Sequence, residues 1–337
     1  MCRRGGGWQA RVGAPAGDEA AVTGRWRRMH AAILRYFSAV ARFGSIRAAA
    51  AELHVASSAV SRQILKLEDE LGVDLFERVP RGLRLTHAGT MVLRHARTTL
   101  DDFDLLKSEL GAIRGKRTGT VRIATLESLL AEVLPGQIIR FHKDNPAVNF
   151  TVQSGTHPEI SSLVAEGEVD LGITFDLAIP EDMEFRHDVP MPVMAMVAPD
   201  HPLAQHNQVT ISECAQYSLL LQLDIEPLRS LIDVELSVLE RSGRTLASSN
   251  NLQVLRGLVK GGLGVAFFTP LGLLNRNEAG AIKSISLAGT RLGGLRLGIL
   301  VRRNRRRTLA TEAFIDQFAD TLKSLRLPGS APATNNA

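Results

Sequence analysis

Gly44-Ser-Ile-Arg-Ala-Ala-Ala-Ala-Glu-Leu-His-Val-Ala-Ser-Ser-Ala-Val-Ser-Arg-Gln-Ile64 is the stretch on which the reading turns. In its second half Val60, Ile64, Leu67 and Leu71 recur at spacings of four, three and four, so one apolar stripe runs along an amphipathic helix. Ser57, Ser58, Ser61, Arg62 and Gln63 make its polar ladder. In the first half Ser45 is placed to cap a helix over Ile46 to Leu53, whose Ala49, Ala50 and Leu53 allow close packing on the second. Three residues, His54, Val55 and Ala56, join the two. Two helices across so short a turn, the second with a polar amino-terminal half, form a helix-turn-helix whose second helix enters the DNA major groove.

The blocks that follow are Leu67-Glu68, Leu71-Gly72, Leu75-Phe-Glu-Arg78, Arg81-Gly82 and Leu85-Thr-His-Ala-Gly89. Together with the opening stretch, in this order and spacing, they resemble the N-terminal domain of LysR-type transcriptional regulators. The resemblance implies a winged helix-turn-helix, the wing being the Arg-rich hairpin Arg78 to Arg84. It also implies DNA-reading residues, which we place at Ser57, Ser58, Ser61, Arg62 and Arg81. Arg62 has the reach to bond guanine O6 and N7, or else phosphate. Ser57 and Ser58 stand at the helix start, where capping is the alternative, and Ser57 replaces the longer polar residue common in the family. Gln63 faces sideways, and Arg81 is expected at the minor groove or on phosphate.

Upstream, Ile33, Leu34, Phe37, Val40 and Ala41 line one face of a support helix from His30 to Phe43, stopped by Gly44. Residues 1–28 are Gly-, Ala- and Arg-rich without periodicity. They are expected to be a disordered tail or a mis-assigned start, the alternative being a basic arm on DNA. The winged domain then spans 29–86. Between Met29 and Arg97 ten Lys/Arg face six Asp/Glu, and Glu68, Asp69 and Glu70 gather at the far end of the recognition helix. The end expected near phosphate stays cationic.

Downstream, Thr86 is a plausible N-cap for a linker helix over 87–114. Val92, Ala96, Thr99, Phe103, Leu106, Leu110 and Ile113 alternate spacings of four and three, the period of paired helices over about three heptads. Dimerisation along this face is expected, with packing inside its own domain as the alternative. Gly115-Lys-Arg-Thr-Gly119 reads as a hinge.

Beyond it the pattern changes to alternating strands and helices: strands at Thr120–Thr125, 149–152 and 169–174, with helices opening at Pro135 and Pro158. This order argues a parallel sheet covered on both faces. A second unit from about Pro190 supplies a strand at 193–198, a helix at 252–259, Gly261-Gly-Leu-Gly-Val-Ala-Phe-Phe268, a strand at 295–301 and a last helix marked by Phe314, Phe318, Leu322 and Leu325. Val169-Asp170 and Gly262-Leu-Gly264 resemble the effector domain of the same family, which is similar to two-lobed type 2 periplasmic binding proteins. The resemblance implies an α/β effector-binding domain over 120–325. Lobe I covers about 120–190 and 291–325, lobe II about 191–290, and 326–337 form a disordered tail. Ligand sits between such lobes, at carboxyl ends of strands. Thr125, Ser128, Gly155 and Thr156 are the effector-binding candidates. Glu127 points out of the site or meets an amine, and Gln222 or Leu223 adds from lobe II. The hydroxyl residues have helix capping as their alternative.

With 337 residues and 45% hydrophobic content, the chain has material for two or three cores. Net charge of +5 is mildly basic. Cys2 and Cys214 provide neither a disulfide framework nor zinc spacing, which fits a reducing cytoplasm, and no run approaches the roughly 18 apolar residues of a membrane span. Gly262-Leu-Gly264 lacks the rest of a dinucleotide fingerprint, Gly111 to Lys116 is misspaced for a P-loop, and no HExxH pair occurs. No metal, cofactor or catalytic set is expected, and His201-Pro202 reads as a turn. The run Arg302-Arg-Asn-Arg-Arg-Arg307 reads as a solvated turn, with inter-subunit ion pairing as the alternative. The sequence thus describes a cytoplasmic, non-enzymatic regulator. Its expected partners are double-stranded DNA with a pseudo-palindromic operator, a small-molecule effector, its own copy in a homodimer or tetramer, and RNA polymerase. An enzyme on a two-lobed scaffold is the competing class, and it lacks a recognisable acid, base or nucleophile set.

Overall fold

The computed structural model describes residues 32–80, 82–113, 115–130, 133–223, 244–273, 280–289 and 294–325. The expected tails at 1–28 and 326–337, and Arg81, lie outside the described residues. Contacts divide the chain into two units, Met1–Phe103 and Asp104–Ala337.

The first unit begins with α1, residues 32–43, which buries Ile33, Leu34, Phe37 and Val40 and ends at Gly44 in the left-handed region. Then come α2 (Ile46–Glu52) and α3 (Ser57–Leu71). Ser45 caps α2 by accepting from the Ala48 amide at 3.3 Å. Of the stripe read on α3, Val60, Ile64 and Leu67 are buried, each worth about 1.5–3 kcal/mol, whereas Leu71 is exposed in the last turn. Gly72, at φ +67, closes α3. β1 (Phe76–Val79) and β2 (Gly82–Leu85) pair antiparallel as the wing.

The long helix α4 (His87–Ile113) starts where Thr86 accepts the Gly89 amide at 3.0 Å. Its amino-terminal half departs from the heptad reading. Ala96 is fully buried in the first unit's core beside Leu93, and Val92 packs on the same core. Only Phe103, Leu106, Leu110 and Ile113 carry the apolar stripe on its exposed side.

The second unit holds two sheets. The first runs in the order β4 (Val148–Ser154), β3 (Gly119–Thr125), β5 (Leu171–Phe175), β13 (Arg296–Arg302), β6 (Met183–Pro190). The second runs β10 (Thr245–Ser249), β9 (Leu219–Gln222), β11 (Val265–Phe268), β7 (Met194–Val197), β12 (Lys283–Leu287), β8 (Gln208–Val209). An all-parallel sheet does not form. β13 lies antiparallel to β5 and β6, and β7 antiparallel to β11 and β12. Connectivity gives the reason. β6 leaves the first sheet for β7, and β12 leaves the second for β13. A chain arriving from the other lobe enters at the edge where the parallel strands end, and must run against them.

The first sheet is covered on both faces. On one side α6 (His157–Glu166) packs against Ala124 and Leu300. On the other, α5 (Val133–Asp144) and α9 (Leu309–Ser324) cover Val121, Ile123, Leu171 and Ile173, with Phe141, Phe150 and Phe314 meeting edge to face. Pro135 is the third residue of α5 as described. In the second sheet α8 (Leu252–Lys260) covers Met194, Met196, Leu220, Ala266 and Phe268. The short α7 (Ile211–Cys214) lies toward the opposite core, which continues into the first lobe.

The Arg302–Arg307 run is a turn exposed at Arg303, Asn304 and Arg306, but Arg305 and Arg307 turn back into an intramolecular ion-pair network. Arg305 pairs with Asp170 at 3.5 Å and Arg307 with Glu312 at 2.7 Å, both arginine side chains being largely buried. Arg306 meets Glu109 at 2.9 Å. Asp170 also receives Arg122 at 3.0 Å. Guanidinium nitrogens of Arg302 and Arg305 lie against Gly167, where α6 ends, complementing the negative end of its dipole.

Candidate nucleic-acid interface and effector site

Helix α3 turns Val60, Ile64 and Leu67 inward, and the three- and four-residue spacing leaves Ser57, Ser58 and Arg62 exposed, with Ser61 half-buried at their margin. The N-cap is Ala56, which offers no side-chain bond. Ser57 and Ser58 are therefore the first two helical residues, not caps, and their backbone amides face outward without an intrahelical partner. Such amides at the positive end of a helix dipole suit a phosphate oxygen. Arg62 lies back along the helix, its Nε donating to the Ser58 carbonyl at 3.2 Å, and its terminal nitrogens have no partner among the described residues. Gln63 is half-buried with Oε1 enclosed and unpartnered among the described residues, in keeping with a sideways placement.

The wing is fastened on both sides. Glu68, in the last turn of α3, accepts the amides of Leu75 at 2.8 Å and Phe76 at 3.2 Å through Oε1. On the other side the Leu83 amide donates to the Gly44 carbonyl at 2.8 Å. A Cβ at Gly82, whose φ is +129, would collide with that same carbonyl, which is why glycine occupies the site. Phe76 packs on Phe37 with centroids 5.2 Å apart. Among the wing cations, Arg84 is paired with Glu77 across the hairpin at 2.8 Å, while Arg78 is exposed. Sequence reasoning places Glu68 only in the Leu67-Glu68 block and the acidic cluster at the end of α3, because its bonding partners are seven and eight residues away and leave no local pattern.

At the carboxyl edge of the first sheet, Thr125 and Ser154 are register partners, and the Gly155 amide extends the ladder to the Thr125 carbonyl at 3.1 Å. Backbone continuity brings Thr125, Gly155 and Thr156 to one edge, but their side chains diverge. Thr125 shares its face with Val121 and Ile123, on the side of α5 and α9, whereas Thr156 opens α6 on the other side. The Thr125 hydroxyl is fully enclosed and has no partner among the described residues. Ser128 is half-buried in the turn Glu127–Leu129, which packs on the turn Pro270–Leu273 of the second lobe, and Glu127 is exposed. Thr156 is the N-cap of α6. Its amide and hydroxyl both donate to Glu159, at 2.7 and 2.9 Å, and these bonds hold the Glu159 carboxyl below its usual range. A carboxylate of the chain itself thus already occupies this helix terminus. The Thr-x-x-Glu spacing is a capping-box signature, and it belongs to the capping alternative that the sequence left open for Thr156.

Beside Thr156, His157 is buried and its Nδ1 lies 3.1 Å from the Thr174 hydroxyl. Burial lowers its pKa, against the raising influence of the Leu177 carbonyl, Asp176 and the Phe175 carbonyl, and so favours the neutral ring. On the second lobe, Gln222 ends β9 and Leu223 is partly exposed, its amide bonded to the Ser249 carbonyl at 2.9 Å. Among the described residues no group of His, Cys, Asp and Glu is arranged to hold a metal ion, and no helix is long and apolar enough to cross a membrane.

Residues 32–90 match the family described as bacterial regulatory helix-turn-helix protein, lysR family, and residues 114–323 match the LysR substrate binding domain. The chain is similar to the HTH-type transcriptional regulator MetR of Escherichia coli strain K12, at 31% identity over 84% of this chain and 87% of that protein. A hydrogen peroxide-inducible genes activator of Pectobacterium carotovorum is 29% identical over 73% of this chain and 81% of that protein. Among solved structures, a full-length OxyR variant from Pseudomonas aeruginosa superposes with a TM-score of 0.66 at 20% identity, covering 91% of this chain and 98% of that one. Full-length CbnR complexed with its target DNA gives 0.54 at 21% identity, covering 85% and 98%.

Proposed function

The chain belongs to the LysR family of DNA-binding transcriptional regulators, and from that premise we propose that it acts as a homodimer or tetramer on a pseudo-palindromic operator. A small molecule held between the lobes of 120–325 changes its DNA binding or the bend it imposes. The observation that carries the reading is the division of α3 between a locked apolar face and an outward polar face of Ser57, Ser58, Ser61 and Arg62. The crystallised CbnR complex holds a target DNA, which supports the same use of the domain here. Arg62 reads a base, a contact worth about 1–3 kcal/mol of discrimination. Arg81, which lies between β1 and β2 in the sequence, is the second candidate for DNA contact.

Phe103, Leu106, Leu110 and Ile113 supply the dimer seam. Two such chains place two recognition helices about one DNA turn apart. For the effector, the enclosed Thr125 hydroxyl and Ser128 are the readiest groups. Thr156 engages a ligand only by giving up Glu159, and Gly155 contributes shape rather than its bonded amide. The ligand must favour one quaternary arrangement, since equal affinity for both shifts nothing. We further propose that the output contacts RNA polymerase, that the protein works in the cytoplasm, and that it catalyses no reaction. Peroxide acting on Cys214 is a poor candidate for the signal. The thiol is buried and its pKa is pushed up to about 12, chiefly by desolvation, leaving little of the thiolate that peroxide oxidises.

The test is Arg62→Ala. Selective binding to a duplex chosen from a random-sequence pool is lost, while thermal stability and any ligand-induced shift persist. Retained sequence selectivity would sink the assignment.

A further inference from the structure

We propose that Glu68 is a positioning residue for DNA binding: its carboxylate sets the distance between the recognition helix and the wing, so that both meet the duplex in one register. The inference rests on the reading that α3 and the wing both touch DNA. Three carboxylates follow one another at the end of α3, and they differ in placement. Asp69 and Glu70 are exposed, whereas Glu68 is half-buried and turned to the start of β1.

There a single atom, Oε1, accepts two successive amides, Leu75 at 2.8 Å and Phe76 at 3.2 Å. Those amides open the wing. Leu75 is fully buried and Phe76 rests on Phe37, so the segment has no freedom to swing out and find other partners without uncovering core. The opposite strand hangs from the α1–α2 turn through Leu83 and Gly44, and Thr86 closes the hairpin's base by giving its amide to Leu75 and its hydroxyl to Asp74. Of these fastenings, Glu68 is the one that belongs to the recognition helix itself. A side chain with two methylenes thereby sets how far the wing stands from the residues that read bases. Displacement of about 1 Å at a supporting group is enough to spoil the geometry of a site.

The bond pattern distinguishes this role from a general contribution to folding. Because one oxygen accepts both amides, glutamine with its carbonyl in the same place preserves the brace without the charge. Aspartate keeps the charge but is one methylene too short to reach both amides, and alanine removes the brace. The full-length chain and these three variants are compared on a duplex selected from a random-sequence pool by the wild-type protein. Affinity is measured across a salt series, with hydroxyl-radical footprints to read the sugar–phosphate backbone, dimethyl-sulfate protection of guanine N7 to read the major groove, and melting curves of the free proteins.

Glu68→Ala and Glu68→Asp should lose protection at the phosphates flanking the base-read segment while keeping protection in the major groove. The slope of log K against log salt should fall by about one for each phosphate the wing no longer grips. Glu68→Gln should match wild type. Wild-type slopes and footprints in Glu68→Ala or Glu68→Asp overturn the proposal, whatever their melting temperatures, and so does a Glu68→Gln protein that behaves like Glu68→Ala. Should Glu68→Ala fail to fold, Glu68→Asp carries the decision. A wild-type chain that selects no duplex defeats the DNA-reading premise, a result recognisable because it precedes any comparison of variants.

Discussion

Replacing Leu106 and Leu110 together by alanine isolates the seam along α4. In the single chain Leu106 is 48% exposed and Leu110 52%, so each has about half a side chain left to bury. Full burial of a leucine yields about 1.5–3 kcal/mol, and half of that is about 1 kcal/mol. A twofold interface uses each residue twice, so the double substitution removes four such contributions, about 3–4 kcal/mol. That corresponds to a dimer dissociation constant weaker by about 100- to 1000-fold. Alanine is the best helix former, so α4 itself should persist. Sedimentation equilibrium over a wide concentration range reads the constant, and a melting curve at a concentration where both proteins are monomeric reads the fold. An unchanged dissociation constant refutes the assignment of the seam. So does a large fall in monomer melting temperature, which would mean that the stripe packs within its own chain.

Three further outcomes test separate parts of the account. Ala56→Ser supplies the missing N-cap of α3 and should stabilise the free protein by about 1 kcal/mol, read by chemical denaturation. His157 is held below its ordinary pKa by burial, so its contribution to stability is complete above about pH 6.5 and is lost as pH falls through the lowered folded value. The melting temperature of wild type should therefore drop on acidification below neutrality, and His157→Gln should flatten that drop. In a Cys2→Ser background, Cys214 should react with a thiol reagent only on unfolding, and peroxide should leave DNA affinity unchanged. Labelling of the native protein would overturn the buried, protonated assignment.

The helices were the most legible part of the sequence, because each packs one face on a core and prints a 3.6-residue period. Phe37 and Val40, or Ile64 and Leu67, needed no partner elsewhere to be recognised. The strands β6, β9, β10 and β12 were not read. β10 is Thr-Leu-Ala-Ser-Ser on a sheet edge with mostly open side chains, β9 is too short for periodicity, and β6 is polar and bulged, with His187 at φ +52. Their identity comes from neighbours distant in the chain. The same physics hid the antiparallel course of β7 and β13, which follows from crossing between lobes rather than from composition. At the sites, the exposed polar face of α3 followed from its period, whereas the Glu68 brace, the enclosed Thr125 hydroxyl and the Asp170 arginine network depend on tertiary contacts. The heptad reading ran too far toward the amino end because a helix packed on its own domain and one packed on a partner share nearly the same spacing. Burial of Ala96 separates them.

Footprinting of the purified full-length chain on duplexes selected from a random-sequence pool tests the idea of a paired, groove-reading α3 most directly. The expected pattern is an inverted repeat, with two protected major-groove segments centred about 10 base pairs apart or a multiple of that, both abolished by Arg62→Ala. Enrichment of no sequence, or of a single unrepeated segment that Arg62→Ala still protects, would contradict it.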